Sequence, residues 1–497
     1  MKKQGKEGFR MGTPLIKTLE MLKKSSPVSF HTPGHKSGKA FESLGDGGLR
    51  ENLYPYDTTE IFATDQLQNP SGVLKESQQW TAKVFKSSEA YYLINGSSGG
   101  VLSMILSQTK PGDEVLLSRD VHQSVIHALI LGDLTPRFIS QEIDPLYKIP
   151  MGITAKNVKE GLLKYPNCKG VLVTHPNYYG RASELLEIRN LTRSRRQILW
   201  VDQAHGAHLG LHPQLPLSGI DAGADLTVMS FHKTLPAMTQ CGVLFVSGGL
   251  VDRDRLQEQL NIHQSSSPSY ILMASIEQGT RHYLEAGREK MKDLLRGIDQ
   301  FEQRFQQLKL FQLDACPGKD RTKLWIRTEN SGLAGGEVET RLRENHGIIM
   351  ELSMPQGVLA LTSIGNGEKD LEKLYLAFEE LEKTLYNKIK MEKFPEKTSM
   401  EVFVSPGENA GDNAGEKDSL ALPIRTAFYR PKERVLINKS INRVAGSTLT
   451  PYPPGIPLIL PGERITGQLI SRLSAYQQSG HQVSGIKEGK IMVVTEE

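Results

Sequence analysis

Two apolar runs are each followed at once by residues that can do chemistry: ILWVD at 198–202 precedes QAH, and LTVMS at 226–230 precedes FHKT. Both runs are continuous rather than alternating, which is typical of strands covered on both faces. Similar runs recur at 91–94, 114–118, 170–175 and 242–246, with helical periodicity at 121–131, 155–165 and 183–193. This pattern predicts an α/β domain with a mostly parallel sheet, in which ligands bind at the carboxyl ends of the strands.

The remainder of the chain predicts smaller units. Residues 280–310 have the pattern of one long amphipathic helix, and KLWIR, VLALT and the helical stretch 367–391 indicate a small α/β unit beyond it. Residues 393–422 are rich in Gly, Glu, Asp, Asn and Pro, a linker composition. The prolines of 450–463 favour a rigid turn over a helix. We therefore expect an N-terminal segment, a large domain, a small α/β domain, a linker or mobile loop and a C-terminal domain, at 1–70, 71–290, 291–392, 393–422 and 423–497.

Composition narrows the class of function. The 497 residues carry 60 Lys and Arg against 56 Asp and Glu, a formal net charge of +4, so nothing favours nucleic acid or an anionic membrane as partner. Cys168, Cys241 and Cys316 are too few and too far apart for a disulfide framework. No run has the apolar length of a signal-peptide core or a membrane span. The composition predicts a cytoplasmic protein that acts on small molecules.

Lys233 is the first candidate for catalysis. It lies just past the LTVMS run, with Ser230 three residues before it and His232 beside it. A lysine there could form a Schiff base with a carbonyl cofactor, while the hydroxyl and imidazole hold a phosphate. A surface lysine in a loop is the commoner meaning of such a pattern taken alone.

Asp202 ends the ILWV run and supplies the second element. A carboxylate shielded from water at a strand end is what a protonated pyridine nitrogen needs as a partner. Ala204 is small enough to lie flat beneath a ring. The alternative is that Asp202 only caps the following turn.

Two further strand ends carry residues of the same kind. In LINGSSGG at 93–100, Gly96, Ser97, Ser98 and Gly99 could surround a phosphate at a helix start, although such turns often bind nothing. His122 follows the 114–118 run and could stack on an aromatic ring, or simply cap a helix. Together, the four elements converge on a pyridine aldehyde that carries a phosphate.

These motifs resemble the fold type I pyridoxal 5′-phosphate enzymes, and in detail the short bacterial arginine/lysine decarboxylase-like members of the Orn/Lys/Arg decarboxylase family. The resemblance covers nearly the whole chain and rests on six strings: FHTPGHKSG at 30–38, the 56–78 and 201–225 segments, SFHKTLPAMTQ at 230–240, SSSPSYILMAS at 265–275 and TPYPPGIPLILPGE at 450–463. HTPGHK and PYPPGIPL are the strings that are specific to this family.

The resemblance implies roles for individual residues. Lys233 carries the cofactor, Asp202 pairs with its ring nitrogen, and His122 and Ala204 contact the two ring faces. The phosphate and rim contacts would come from Gly96, Ser97, Ser98, His205, Ser230 and His232, with Ser267 reaching in from a neighbouring subunit. Since the site of this fold is shared between subunits, a homodimer is the minimum assembly.

Two positions depart from the family pattern. Gln203 stands where the family has the Glu of DEAH, and Asn177 stands where it has the Thr of PTY. Neither change touches Lys233 or Asp202, so the cofactor chemistry is expected to survive, while substrate choice becomes less certain.

The expected reaction is the decarboxylation of a basic amino acid, arginine or lysine ahead of ornithine, in polyamine biosynthesis. Either Lys233 or His232 could return the proton to Cα. The basic tail needs an acidic partner, for which Glu60, Asp65 and Glu463 are candidates, although acids in such positions are more often structural caps or subunit-interface charges.

Three competing interpretations stand beside this one. Another enzyme of the same fold, an aminotransferase or a carbon–sulfur lyase, would form a different product. A catalytically silent paralogue would bind the cofactor and regulate polyamine metabolism. A metal site at His205, His208 and His212 is disfavoured, because AHGAHLGLHP contains two glycines and ends in proline, a poor sequence for a helix that presents three ligands.

Overall fold

The computed structural model describes residues 12–41, 47–391, 420–452, 455–478 and 482–495. Its centre is a seven-stranded sheet with the order β1-β7-β6-β5-β4-β2-β3. The strands are Glu89–Leu93 (β1), Glu114–Leu117 (β2), Thr135–Phe138 (β3), Gly170–Thr174 (β4), Ile198–Asp202 (β5), Leu226–Ser230 (β6) and Gly242–Val246 (β7).

The predicted α/β class and mostly parallel sheet are confirmed. β3, β2, β4, β5 and β6 are parallel neighbours, and β7 runs antiparallel to both β1 and β6. All six predicted strands form, whereas no pattern indicated β3, whose TPRF stretch is short and contains a proline. β3 pairs only with β2, and proline is tolerated on such an edge strand because one side of it needs no hydrogen-bond donor.

Helices cover both faces of the sheet. They are Pro14–Ser25 (α1), Gly47–Asn52 (α2), Val73–Phe85 (α3), Gly96–Leu106 (α4), Gln123–Gly132 (α5), Ala155–Lys164 (α6), Leu185–Ser194 (α7), Phe231–Thr234 (α8), Arg253–His263 (α9) and Tyr270–His282 (α10). Neighbouring residues of β5 enter different apolar clusters, since Trp200 packs in one and Val201 in another. Continuous apolar runs were required for this two-sided burial.

The helix predicted at 280–310 is only partly correct. α10 begins at Tyr270, continues through a π-helical turn at Tyr283–Gly287, and leads into Arg288–Phe305 (α11). The start lies ten residues before the predicted one because Ser269 caps the helix by accepting a hydrogen bond from the backbone N–H of Leu272. The proposed domain boundary at 290 falls inside α11.

The small α/β unit follows α11. Its four strands lie in the order β10-β11-β9-β8, all antiparallel. They are Gln312–Leu313 (β8), Lys323–Arg327 (β9), Leu352–Met354 (β10) and Gly357–Leu361 (β11), and two helices, Gly335–His346 (α12) and Glu368–Met391 (α13), complete the unit. The strands predicted from KLWIR and VLALT and the helix predicted at 367–391 therefore form.

The C-terminal unit contains two small helices and two strand pairs. Its elements are Ile424–Tyr429 (α14), Lys432–Leu436 (β12), Thr450–Tyr452 (β13), Gly467–Gln478 (α15), Gln482–Ser484 (β14) and Lys490–Val494 (β15), with β12 paired to β15 and β13 to β14. Residues 393–419 of the predicted linker lie outside the described residues. Within the part of the 450–463 segment that is described, no helix forms, and the backbone N–H of Gln123 donates to the carbonyl of Gly455 at 3.2 Å.

Across the described ranges, no helix combines the length and the apolar character needed to cross a bilayer.

Candidate functional site

The loop from β1 to α4 forms a cradle suited to an anion. Gly96 begins α4 with a φ of +68°, a conformation that glycine adopts without strain. Ser230, at the end of β6, donates its hydroxyl hydrogen to Ser97 Oγ at 2.7 Å. A Cβ added to Gly242 would lie 3.2 Å from the backbone nitrogen of Ser97, so β7 approaches the cradle closely. The first N–H groups of α4 and two hydroxyls therefore face one small space.

Lys233 and Asp202 interact at the ends of adjacent strands. β6 ends at Ser230, and the single turn of α8 turns Lys233 back over the sheet edge, where β5 ends in Asp202. Burial raises the pKa of the Asp202 carboxyl, and the nearby Lys233 charge opposes that shift. Burial lowers the pKa of Lys233, while Asp202 and Glu351 oppose it. Within the described residues, Asp202 Oδ1 accepts the N–H of Ala204 at 3.1 Å, which leaves Oδ2 for a ligand nitrogen.

His122 caps α5 in an uncharged form. Its Nδ1 accepts the backbone N–H of Ser124 at 3.2 Å, and Ser124 Oγ lies 2.8 Å from the same nitrogen. Burial lowers the pKa of His122 to about 4, with the charge of Lys233 acting in the same direction. A Cβ on Gly455 would lie 3.4 Å from His122 Cδ2, so the C-terminal unit covers one edge of this neutral ring.

His205 lies between two lysines. Its Nε2 is 2.9 Å from Lys233 Nζ, and its Nδ1 is 2.9 Å from Lys323 Nζ. Burial and both lysine charges hold the pKa of His205 well below its ordinary value. Lys323 opens β9 and is fully buried, although the sequence analysis did not single it out. The signal that could have found it is a lysine directly before the apolar residues Leu324, Trp325 and Ile326.

Glu351 is a second residue that the sequence analysis missed. Tyr178 donates its hydroxyl hydrogen to Glu351 Oε1 at 2.6 Å, and the Tyr178 ring meets His205 edge-on at a centroid distance of 4.7 Å. Glu351 favours the charged forms of both Lys233 and Lys323. The acid that faces the candidate site thus comes from the small α/β unit.

The three acids predicted from the sequence lie elsewhere or are already bonded. Asp65 accepts backbone N–H groups at the start of α3, including that of Gly72 at 2.7 Å; burial opposes their effect, yet they hold its pKa below the ordinary value. Glu463 pairs with Arg119 at 2.9 and 3.2 Å. Glu60 keeps one buried carboxylate oxygen without a hydrogen bond among the described residues.

Of the remaining predicted residues, His232 lies directly before Lys233, whereas Ser98 and Ser267 are exposed. His232 donates from Nδ1 to the carbonyl of Cys241 at 3.0 Å, so its Nε2 is an acceptor when the ring is neutral, and burial lowers its pKa. Ser98 lies exposed at the first turn of α4. Ser267 is exposed on the loop between α9 and α10 and contacts Ser265, so within one protomer it is not joined to the others.

Gln203 and Asn177, the two residues that depart from the family pattern, form hydrogen bonds with the backbone through their side-chain amides. Gln203 Oε1 accepts the N–H of Gly219 at 2.6 Å, and its Nε2 donates to the carbonyl of Gly206 at 2.8 Å. Asn177 Oδ1 accepts the N–H groups of Tyr179 and Arg181 at 3.1 and 3.0 Å. Their amides organise the loops beneath the site, which explains how the positions can differ while the lysine and aspartate stay in place.

The three histidines considered for a metal have other partners or lie apart. His208 Nε2 is 3.1 Å from Asp320 Oδ1, whereas His205 faces the two lysines. In the portion of the chain that the structure describes, no three His, Cys, Asp or Glu side chains are grouped as metal ligands.

The donor set fits pyridoxal 5′-phosphate. The anion cradle suits a phosphate, the buried Asp202 oxygen suits a pyridinium N–H, and Lys233 is an amine whose lowered pKa favours the neutral form that attacks an aldehyde. The three features lie at the carboxyl ends of β1, β5 and β6, around one edge of the sheet.

Comparison with known proteins agrees with this geometry. The model of the Orn/Lys/Arg decarboxylase major domain matches residues 13–370, and the model of the C-terminal domain of that family matches 424–490. A protein of Halalkalibacterium halodurans named arginine decarboxylase is 33% identical over 95% of each chain. One of Bacillus subtilis with the same name is 31% identical over 97% of each. The Francisella novicida lysine decarboxylase structure aligns with a TM-score of 0.79 at 21% identity, covering 97% of this chain and 81% of that one, a likeness in fold.

Proposed function

Since the chain belongs to the Orn/Lys/Arg decarboxylase family and is an amino-acid decarboxylase, we propose that it removes the α-carboxyl group of arginine, using pyridoxal 5′-phosphate held on Lys233. The observation that carries the cofactor part is the placement of buried Asp202 at the end of β5 and of Lys233 just past the end of the adjacent β6, beside the Ser97–Ser230 cradle. The product would be an amine that feeds polyamine biosynthesis.

Each residue has a defined task in this reaction. When bound, pyridoxal 5′-phosphate supplies an electron sink for the electron pair left at Cα. Asp202 would hold the ring nitrogen of the cofactor in its protonated form, since Oδ1 accepts the N–H of Ala204 and Oδ2 has no hydrogen bond among the described residues. His122, neutral and fixed by Ser124, orients the ring, and Ser97 and Ser230 bind the phosphate.

Lys233 is the better candidate for returning the proton to Cα. His232 commits its Nδ1 hydrogen to the carbonyl of Cys241, and its lowered pKa keeps Nε2 without a proton. A group in that state accepts a proton rather than giving one. The charges of Asp202 and Glu351 favour the protonated form of Lys233, so its amine can hold the proton that returns to the substrate carbon.

We propose arginine ahead of lysine as the substrate because relatives named arginine decarboxylase share more sequence identity with this chain than the relative named lysine decarboxylase does. The two relatives named arginine decarboxylase align over nearly the whole length of both chains at 33% and 31% identity. The relative named inducible lysine decarboxylase, from Escherichia coli, is 21% identical and is covered over 75% of its length. Lysine is therefore the second candidate and ornithine the third.

A homodimer in the cytoplasm completes the proposal. Ser267 is exposed on its loop, which is compatible with a role in a neighbouring subunit. Cys168, Cys241 and Cys316 are all free, as expected of a chain that needs no disulfide in a reducing compartment.

The test is to measure CO₂ and amine release with arginine, lysine and ornithine in parallel, using the cofactor-loaded protein and its Lys233→Ala variant. Agmatine with matching CO₂, lost in the variant, is the expected result. A keto acid in place of CO₂ would instead identify an aminotransferase. Cofactor bound on Lys233 without turnover of any of the three substrates would favour a regulatory paralogue.

A further inference from the structure

Three side-chain nitrogen groups form an unbroken line from the small α/β unit to the candidate site. Lys323 Nζ lies 2.9 Å from His205 Nδ1, and His205 Nε2 lies 2.9 Å from Lys233 Nζ. Gly180 permits this approach of β9, since its φ is +89° and an added Cβ would lie 2.8 Å from Lys323 Cβ. The Tyr178 ring meets the imidazole edge-on. The imidazole of His205 is therefore held between the two amines at hydrogen-bond distance from each.

The donors and acceptors of this line limit the number of protons that it holds. An ammonium group has only N–H donors, whereas a neutral imidazole has one N–H and one lone pair. Two ammonium groups would leave His205 with one lone pair for two donors, and a charged imidazole would have no lone pair at all. The two contacts thus require at least one neutral amine. They are satisfied equally well by Lys233 or by Lys323 in that state.

The two permitted arrangements differ only in the positions of hydrogens. In one, the Lys323 ammonium donates to Nδ1 of His205 and Nε2–H donates to Lys233. In the other, the Lys233 ammonium donates to Nε2 and Nδ1–H donates to Lys323. Their interconversion breaks one N–H bond and forms one on each side of the imidazole, and it moves no heavy atom. Burial lowers the pKa of both lysines, that of Lys323 to about 8, so either amine releases a proton more readily than a lysine in water does.

We propose that Lys323 supplies, through His205, the proton that Lys233 gives to Cα. The inference rests on the proposed function, in which the amine of the substrate takes the place of Lys233 and frees it as a neutral amine. Lys323 then loses a hydrogen to His205 Nδ1 while the Nε2 hydrogen passes to Lys233. When CO₂ leaves, the electron pair of the broken C–C bond takes that proton from Lys233. Solvent restores the one proton that each decarboxylation consumes.

The first test times CO₂ release and amine formation separately during one turnover of the cofactor-loaded, full-length protein with arginine. CO₂ leaves before the proton transfer, so in Lys323→Met we expect CO₂ at the wild-type rate and amine about a hundredfold more slowly. Lys323→Arg is expected to lag equally, because a guanidinium keeps the charge but does not give up its proton. A role of Lys323 in packing alone would slow both products together.

Matched variants control for burial and for the path. Lys319→Met removes another buried lysine, whose Nζ contacts Asp314 and the carbonyl of Lys323, and amine formation should keep pace with CO₂ release. Lys323→Gln replaces Lys323→Met if that variant does not fold. In a His205→Gln background, Lys323→Met is expected to add no further lag, because both changes interrupt the same path.

The cofactor-free protein offers a second readout that does not depend on turnover. Nitrogen-15 NMR of the protein with labelled histidine is expected to show averaged signals for the two ring nitrogens of His205, because a hydrogen exchanges between them. In Lys323→Arg the guanidinium stays a donor to Nδ1, so the signals should separate into one N–H and one lone-pair nitrogen.

Three results would overturn the proposal. They are a folded Lys323→Met or Lys323→Gln that forms amine as fast as it releases CO₂, a Lys323→Arg variant with wild-type amine formation, and separate N–H and lone-pair signals for His205 in the wild type. Failure of the proposed function would look different: the wild-type protein would release no CO₂ from arginine, lysine or ornithine, while the NMR signals of His205 would still report whether its hydrogen is shared.

Discussion

Tyr178 donates its hydroxyl hydrogen to Glu351 at 2.6 Å, and this bond joins the loop after β4 to the residue that precedes β10. It fixes a carboxylate of the small α/β unit where its charge acts on Lys233 and Lys323. The two domains are therefore coupled electrostatically at the candidate site.

Glu351→Gln is expected to lower the pH at which Lys233 captures pyridoxal 5′-phosphate. Burial lowers the pKa of Lys233 and Glu351 opposes that shift, so loss of Glu351 lowers the pKa further and moves the midpoint of capture to lower pH. The rate at which the cofactor-free protein captures pyridoxal 5′-phosphate, followed by absorbance from pH 6 to 10, measures the shift. Tyr178→Phe is the control, since it removes the hydrogen bond and retains the charge; a Glu351→Gln midpoint at or above the wild-type value would contradict the prediction.

Gln203→Glu is expected to destabilise the protein in a pH-dependent way. The new carboxylate would still accept the N–H of Gly219, but it would face the carbonyl of Gly206 without a hydrogen to donate. This mismatch costs about 1–3 kcal/mol of the free energy of unfolding. The folded state raises the pKa of the new carboxyl, so the variant is nearest to wild type below the unfolded pKa of about 4.3 and loses stability as the pH rises.

Urea unfolding of Gln203→Glu at pH 5 and pH 8 checks this prediction. Gln303→Glu, on the exposed side of α11, is the matched control and should be neutral at both pH values. Equal stability of Gln203→Glu and wild type at pH 8 would show that the bond to Gly206 contributes little.

Asp202→Asn is expected to keep or raise the stability of the cofactor-free protein while it lowers the rate of decarboxylation. Burial raises the pKa of Asp202, so its ionised form lowers the stability of the cofactor-free protein as the pH rises above the unfolded value of about 3.9. The variant should thus be at least as stable as wild type at pH 7 when cofactor-free, yet lose decarboxylation by about a hundredfold or more, since the ring nitrogen has no anionic partner. Calorimetry and CO₂ release measure the two effects; a less stable, active variant would refute this account.

Glu463→Gln is expected to affect folding more than substrate binding. Both Glu463 oxygens contact Arg119, and Oε2 also accepts the N–H of Leu460 at 2.8 Å. We expect a loss of about 1–3 kcal/mol in the free energy of unfolding with KM for arginine unchanged. The exposed pair Arg281–Glu285 supplies the control, because Glu285→Gln should be nearly neutral. An increase in KM without a loss of stability would indicate instead that Glu463 binds the substrate.

The sequence identified the residues that end the central strands because burial on both faces leaves long apolar runs. Lys233, Asp202 and His122 each follow such a run, and their positions could be predicted without knowing the fold. The order of the strands in the sheet could not be predicted from the sequence. β3 was not predicted because an edge strand needs little apolar sequence.

Lys323 and Glu351 could not be predicted to join the site for a different reason. Lys323 opens β9 and Glu351 directly precedes β10, and these strands reach the large domain only through tertiary packing. No spacing along the chain predicts that approach. A local clue was the lysine at the start of a strand with apolar sequence, because a buried lysine needs a polar partner.

The contact between Gly455 and His122 has a consequence for biosynthesis. The strands of the sheet, Lys233 and Asp202 are translated before the segment that covers the His122 ring edge, because that segment lies downstream of them in the chain. A nascent large domain would thus present an open ring pocket until that segment docks through the carbonyl of Gly455. The order of translation then determines when the pocket around the His122 ring is first closed, in addition to the residues that form it.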